Sequence, residues 1–185
     1  MILITNDEVS ENALALAGRK FDLWAWSEAL HVGPVGKTYD LSTFARDRAL
    51  VFQYHGWDEC QEVEADFKAR NDALLRGLGD GEEVVLLFGA GIRDQLTLAR
   101  LAAWLMNQAS ERLNCVKVSV SNKMIPNDSS DALWELIDHA EPAGETNLAE
   151  YESMWTAFVS DDPTDLEASF QTIKSVSLKA AVGRL

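Results

Sequence analysis

The hydrophobic and polar positions along the chain fall into short apolar runs separated by longer stretches of helical period. Ile2–Thr5 is an apolar run that stops at Asn6-Asp7, which predicts a first strand and turn. Glu8–Leu16 carries apolar residues at 9, 13, 14 and 16, and Gly18 follows where a helix C-cap is expected. Phe21–Trp26 reads as a second strand, so the chain opens as a βαβ unit with two parallel strands. Helical period returns over Leu41–Tyr54 and Glu59–Leu78, where Cys60, Val63, Phe67, Leu74 and Leu78 fall near one stripe. Gly77, Gly79 and Gly81 are expected to break that helix.

Val84–Phe88 is continuously apolar, as a central parallel strand covered on both faces requires. After a turn at Gly89-Ala90-Gly91, Arg93–Leu113 predicts a long buried helix. Cys115–Val120 alternates Val116, Val118 and Val120 with Lys117 and Ser119, a strand with one wetter face and an expected edge position. Strand signals then vanish. Ser130–Ala140, Asn147–Val159 and Thr164–Ser175 read as helices, the last announced by Asp162 as cap and Pro163 in the first turn. Val176–Leu185 is a closing helix or the stub of something longer. The expected fold is α/β: a Rossmann-like three-layer sandwich with a mostly parallel sheet of about four strands. The α/β domain spans 1–126, and a helical C-terminal extension, 127–185, packs on it.

Composition narrows the function classes. The 185 residues are 47% hydrophobic and 25% charged, ordinary values for a globular chain. No apolar run approaches the ~20 residues needed to span a bilayer, and the N-terminus lacks a secretory pattern, so cytoplasmic residence is expected. The 16 basic residues are scattered among 30 acidic ones, for a net charge of −14, which argues against a nucleic-acid surface. Cys60 and Cys115 have no partner at a metal-ligand spacing and read as small, reduced, semi-buried residues.

Candidate chemistry gathers in four places. Glu28 and His31 stand three apart behind Trp26, a spacing at which a carboxylate can orient an imidazole for acid–base work. They equally fit a turn, with Gly33 and Pro34 completing it. Gly89-Ala90-Gly91 resembles a truncated phosphate turn, but Asp94 stands where a third glycine belongs. His55–Cys60 concentrates His, Asp, Glu and Cys without a known metal spacing, and His139 reads as a helix-end residue. Six tryptophans are many for this length, and core use explains most of them. Trp26 and Trp57 flank the polar groups and can line a pocket.

Four segments together resemble a bacterial family of uncharacterised proteins, the domain of unknown function eighteen thirty-five. Ile4-Thr5-Asn6-Asp7 is similar to that family's opening I-T-N turn. Trp26–Pro34 (WSEALHVGP) is similar to a W-x-D-x-L-H-E-G-P segment, and Leu86–Leu96 (LLFGAGIRDQL) to L-W-F-E-H-D-L-x-D-Q-L. Trp155–Pro163 (WTAFVSDDP) is similar to W-x-A-F-x-S-x-D-P. The departures are Glu for Asp at 28, Val for Glu at 32, and Gly89-Ala90-Gly91 in place of Glu-His-Asp, so the glycines read as a substitution rather than a phosphate loop.

By fold logic Asn6, Asp7, Trp26, Glu28, His31, Gly89, Gly91, Asp94, Gln95 and Asn122 lie near strand carboxyl ends and form the expected ligand site. Glu28, His31 and Asp94 are its candidates for catalysis. The expected function is small-molecule binding there; the alternative is a non-catalytic regulatory or protein-interaction module. No cofactor, metal or reaction is specified by these residues.

Overall fold

The structure is a computed structural model that describes residues 1–5, 19–121, 125, 130–144 and 148–183. The helix expected over Glu8–Leu16 lies outside those residues. Five strands form one sheet: β1 (Ile2–Thr5), β2 (Asp22–Ala25), β3 (Val84–Phe88), β4 (Val116–Val120) and β5 (Glu141–Pro142), in the order β2-β1-β3-β4-β5. The first four are parallel, with Ile2 opposite Asp22 and Val84, and Val84 opposite Val116.

β5 is a correction to the four-strand expectation. It pairs antiparallel with β4, Lys117 opposite Pro142 and Val118 opposite Glu141. Two residues carry no period to read, and proline is tolerated because the outer edge needs no donor. β4 is therefore covered on both sides and is not the edge strand that its alternation suggested.

Helices α1 (Leu41–Tyr54) and α2 (Cys60–Asp80) connect β2 to β3, and α3 (Ile92–Gln108) with a 3₁₀ turn at Ser110–Cys115 connects β3 to β4. α4 (Ser130–Asp138), α5 (Leu148–Phe158), α6 (Pro163–Thr172) and α7 (Val176–Val182) follow. Asp162 caps α6 through Thr164 N at 2.9 Å, as its spacing to Pro163 predicts. The glycines behave differently from expectation. Gly77 and Gly79 lie inside α2, and only Gly81, at φ 71°, ends it as a left-handed C-cap. A Cβ on Gly77 would sit 2.2 Å from Ile2 Cδ1, so this glycine lets α2 lie against the start of β1.

Alternate strand residues face two cores. Ile2, Ile4, Val84, Leu86, Phe88, Val116 and Val118 join α3, Trp155 of α5 and Leu178 of α7 in the larger one. Leu3, Val85 and Leu87 meet Leu133, Trp134 and Ile137 of α4 in the smaller. α3 packs most extensively on α5, so residues beyond 148 supply the same core as the sheet. No helix among the described residues is long and apolar enough to cross a membrane.

Candidate functional site

Because β1–β4 run parallel, their carboxyl ends share one edge, where Trp26, Glu28, His31, Gly89, Gly91, Asp94 and Gln95 are found among the described residues. The loop leaving β2 there is wound around a single guanidinium. Arg48, on the buried face of α1, donates from Nε to the Glu28 carbonyl (3.0 Å) and from NH1 to that of Pro34 (2.9 Å). Its NH2 donates to the carbonyls of Ala29 (2.8 Å) and Val32 (3.0 Å). One fork of five donors thus satisfies four carbonyls of a short loop, a task no other side chain performs. The loop also holds Ala29 at φ 48° and Gly33 at φ 70°, left-handed conformations that the clamp and Val51 packing fix in place.

Beneath this loop lies a buried ionic cluster. Trp26 is fully buried, and Glu28, 2% exposed, turns inward to form an ion pair with Arg70 of α2. The Arg70 guanidinium sits between two rings, 4.4 Å from the Trp26 centroid and 4.0 Å from that of Phe67. Arg100 of α3, 1% exposed, lies 4.0 Å over Phe44. Burial pushes Arg70 down to about 10, opposed by Glu28 and Asp66 and reinforced by Arg100. Burial also lowers Arg100 and Arg48, in each case against the attraction of Glu28. The cluster therefore holds three guanidiniums around one buried carboxylate, Glu28, with the exposed Asp66 also acting on Arg70. Buried Arg70 Nε, Arg100 Nε and NH1, and Glu28 Oε2 have no hydrogen-bond partner.

The expected pairing of Glu28 with His31 does not form. Three residues apart on an irregular loop, they face opposite ways: Glu28 into the cluster, His31 out to solvent. The His31 imidazole is held below its ordinary value by partial desolvation, then by Arg93 and Arg48, with no carboxylate acting on it. Arg93 at the start of α3 also reaches Ser27 Oγ at 3.4 Å, so the loop after β2 and the start of α3 do meet. Asp94 and Gln95, read as ligand residues, brace the turn before α3 instead. Asp94 Oδ2 accepts from Gly89 N (2.6 Å), and Gln95 Nε2 donates to the Gly89 carbonyl (2.7 Å). The Gly89 amide is thus engaged by a carboxylate and is not offered to an anion, which fits the reading of these glycines as a structural turn. Asn6, Asp7 and Asn122 lie outside the described residues.

A cleft of about 410 Å³ opens beside the carboxyl end of β2. It is lined by Trp24, Ala25 and Ser27 at the end of β2, by Phe52 of α1, and by Val63, Phe67 and Ala69 of α2. Asp58 and Asp66 stand at it as exposed carboxylates, and buried Arg70 also lines it. Trp24 Nε1, like Arg70 Nε, is buried without a partner. The His55–Cys60 segment is an exposed aromatic turn in which His55 stacks on Trp57 at 4.8 Å. Among the described residues no three His, Cys, Asp or Glu side chains converge as a metal site needs.

Arg48, Arg70 and Arg100 were not singled out by the sequence reading, yet each leaves a trace in it. Arg70 continues the Val63, Phe67, Leu74 stripe of α2, and Arg48 continues Leu41, Phe44, Ala45 in α1. A charged residue on an apolar stripe is the signal, since arginine is buried only when partnered. Comparison of the chain with protein-family models, curated proteins and solved structures finds no match in any of the three.

Proposed function

We propose that this chain binds a small molecule in the cleft at the carboxyl end of β2, within a Rossmann-like three-layer sandwich of the eighteen thirty-five type. One observation carries the reading: a ligand-sized cleft, at the sheet edge where α/β folds hold their ligands, lined by aromatic and apolar side chains together with Arg70 and two exposed carboxylates. The cleft lies one strand away from the point between β1 and β3 where the strand order reverses. Its walls come from elements braced by Arg48 and the Glu28–Arg70 pair, so it is preorganised, which lowers the cost of binding.

A thermal-shift screen of metabolites tests it. A ligand at a hundred times its dissociation constant adds about 2.7 kcal/mol, a rise of about 5–10 °C in Tm for a chain of this size. Ala69→Trp, at an exposed wall position, fills the cleft without touching the ion pair and abolishes the rise. An Ala69→Trp protein that responds like the parent refutes the site.

A second reading, a protein-interaction module, is favoured by a separate observation. Leu50 (52% exposed), Tyr54 (86%) and Trp57 (49%) leave apolar surface at the end of α1, and Leu50 and Tyr54 line a groove of about 680 Å³ with Pro34 and Val35. Light scattering after size exclusion, with Tyr54→Ser as the control, tests for association through this face.

A further inference from the structure

β2 is the last strand of the sheet, and its outer side pairs with no strand among the described residues. The parity of its ladder identifies the backbone groups left over. Asp22 N donates to the Met1 carbonyl (3.1 Å) and Trp26 N to that of Thr5 (2.6 Å), so Asp22, Trp24 and Trp26 turn their amides and carbonyls toward β1. Leu23 and Ala25 turn theirs outward, where no hydrogen bond takes them up among the described residues. Free donors and acceptors along an edge strand are a template for another extended chain. The opposite edge offers no such row, because β5 is two residues long and one of them is Pro142. Side chains alternate across β2, with Trp24 on the larger core and Leu23 on the smaller. The 410 Å³ cleft lies on the Trp24 side and reaches Asp66 and Ala69 of α2, so it flanks the free edge. A chain that extends the sheet there places alternate side chains between Trp24 and the apolar wall of Phe52, Val63 and Phe67.

We infer that the ligand is a short free peptide, bound in extended form along the outer edge of β2, with one apolar side chain in the cleft and basic residues on either side of it. This rests on the cleft being a ligand site at all. In strand addition the backbone bonds supply affinity and a pocket for alternate side chains supplies selection. Here Leu23 and Ala25 offer two donors and two acceptors, and the aromatic and aliphatic wall offers the pocket. Charge selects the flanks. Asp22, on the Trp24 face, joins Asp58 and Asp66 as an exposed carboxylate, so cations beside the apolar residue are favoured. The same carboxylates, on a chain of net charge −14, oppose a second copy on this edge. The footprint is small as well. Four residues of strand and one side-chain pocket suit a peptide of about five residues at ~3.3 Å each, far short of the ~800 Å² per partner that a protein interface covers.

Isothermal titration of the full chain at pH 7 and low salt, with the capped peptide Lys-Thr-Leu-Thr-Lys as probe, tests this. Ala25→Pro removes an outward amide that the ladder to β1 does not use, as an edge strand tolerates. It is expected to weaken the peptide about five- to tenfold, the worth of one hydrogen bond. N-methylation of the peptide probes the same bonds without altering the protein. Methylating the leucine nitrogen, or both threonine nitrogens, removes donors from opposite sides of an extended chain; one of the two is expected to abolish binding and the other to leave it. Loss with both or with neither overturns the inference, as does the absence of heat from the parent peptide at about 1 mM, the weak end of ligand binding. Light scattering checks for the competing occupant: a dimer that Ala25→Pro dissociates puts a second copy on this edge and overturns the inference. Ala69→Trp separates these failures from failure of the site. If metabolites bind, are lost in Ala69→Trp and are kept in Ala25→Pro, the cleft stands and the peptide assignment falls; if Ala69→Trp changes nothing, both fall.

Discussion

Removing either partner of the Glu28–Arg70 pair is expected to destabilise the fold, but by unequal amounts. Glu28 attracts Arg70, Arg48 and Arg100, so Glu28→Gln strips three buried guanidiniums of their one carboxylate. At an effective dielectric near 20, one such pair at ~4 Å is about 4 kcal/mol of gross attraction. Breaking a buried pair from one side costs about 3–5 kcal/mol net, and Glu28→Gln belongs at the upper end. Arg70→Met instead leaves Glu28 without its ion-pair partner but still attracted by Arg48 and Arg100, removes the Arg70–Arg100 repulsion, and cancels the desolvation cost that pushes Arg70 down to about 10. Methionine keeps the stem packed between Trp26 and Phe67, so the loss is one ion pair and two ring contacts, about 1–3 kcal/mol. The difference of about 2 kcal/mol corresponds to a gap of about 4–8 °C in Tm. Urea denaturation followed by far-UV circular dichroism at pH 7 measures both variants. If Arg70→Met costs as much as Glu28→Gln, the attraction of Glu28 for Arg48 and Arg100 does not contribute, and the reasoning fails.

Gly77→Ala and Gly79→Ala, two positions apart in one helix, should move stability in opposite directions. The first drives a Cβ to 2.2 Å from Ile2 Cδ1 and costs about 1–3 kcal/mol, relieved by Ile2→Val; the second meets open space and gains about 0.5–1 kcal/mol, both read from urea midpoints. Asp40→Ala removes the cap on Thr43 N (2.7 Å) and costs about 1 kcal/mol. That hydrogen bond holds the Asp40 carboxyl below its ordinary 3.8, so its stabilisation is present above that value and fades as pH falls through the lower folded one; the Asp40→Ala deficit should close accordingly in acid melts. His31 should titrate below 6.5 by proton NMR, and Arg93→Ala should raise its midpoint, because Arg93 disfavours the imidazolium; an unmoved midpoint refutes the contact.

Much of the fold was legible because long elements average their signals. Leu41–Tyr54 and Val84–Phe88 appear with the predicted bounds, since a fourteen-residue stripe and an all-apolar run leave few alternatives. The parallel pairing of β1 and β2 followed from the early strand-to-strand spacing. Three features were not legible. β5 is two residues long and exists only because β4 offers it a ladder. Gly77 looks like a breaker, and nothing local says that Ile2 needs the room. The single helix expected over Arg93–Leu113 ends at Gln108, and Ser110–Cys115 is a 3₁₀ turn, a tightening at a helix end that no residue there announces.

The site shows why a motif locates chemistry better than it assigns roles. The segment WSEALHVGP forms the loop that leaves β2, and Trp26 and Glu28 sit at the carboxyl edge of the sheet. Proximity in sequence suggested that Glu28 serves His31, but the partner that decides its role, Arg70, lies 42 positions away on α2. Helical period separates such residues from any local pattern, so what survives in the sequence is an anomaly: an arginine where the stripe calls for leucine. Three helices each carry one such anomaly, and all three arginines come together around one carboxylate and one loop. A core that needed only stability would gain from apolar residues in their place, because buried ion pairs rarely repay their desolvation. The arrangement makes sense as a rigid brace that holds the loop after β2 against α1 and α2 and so fixes the walls of the cleft.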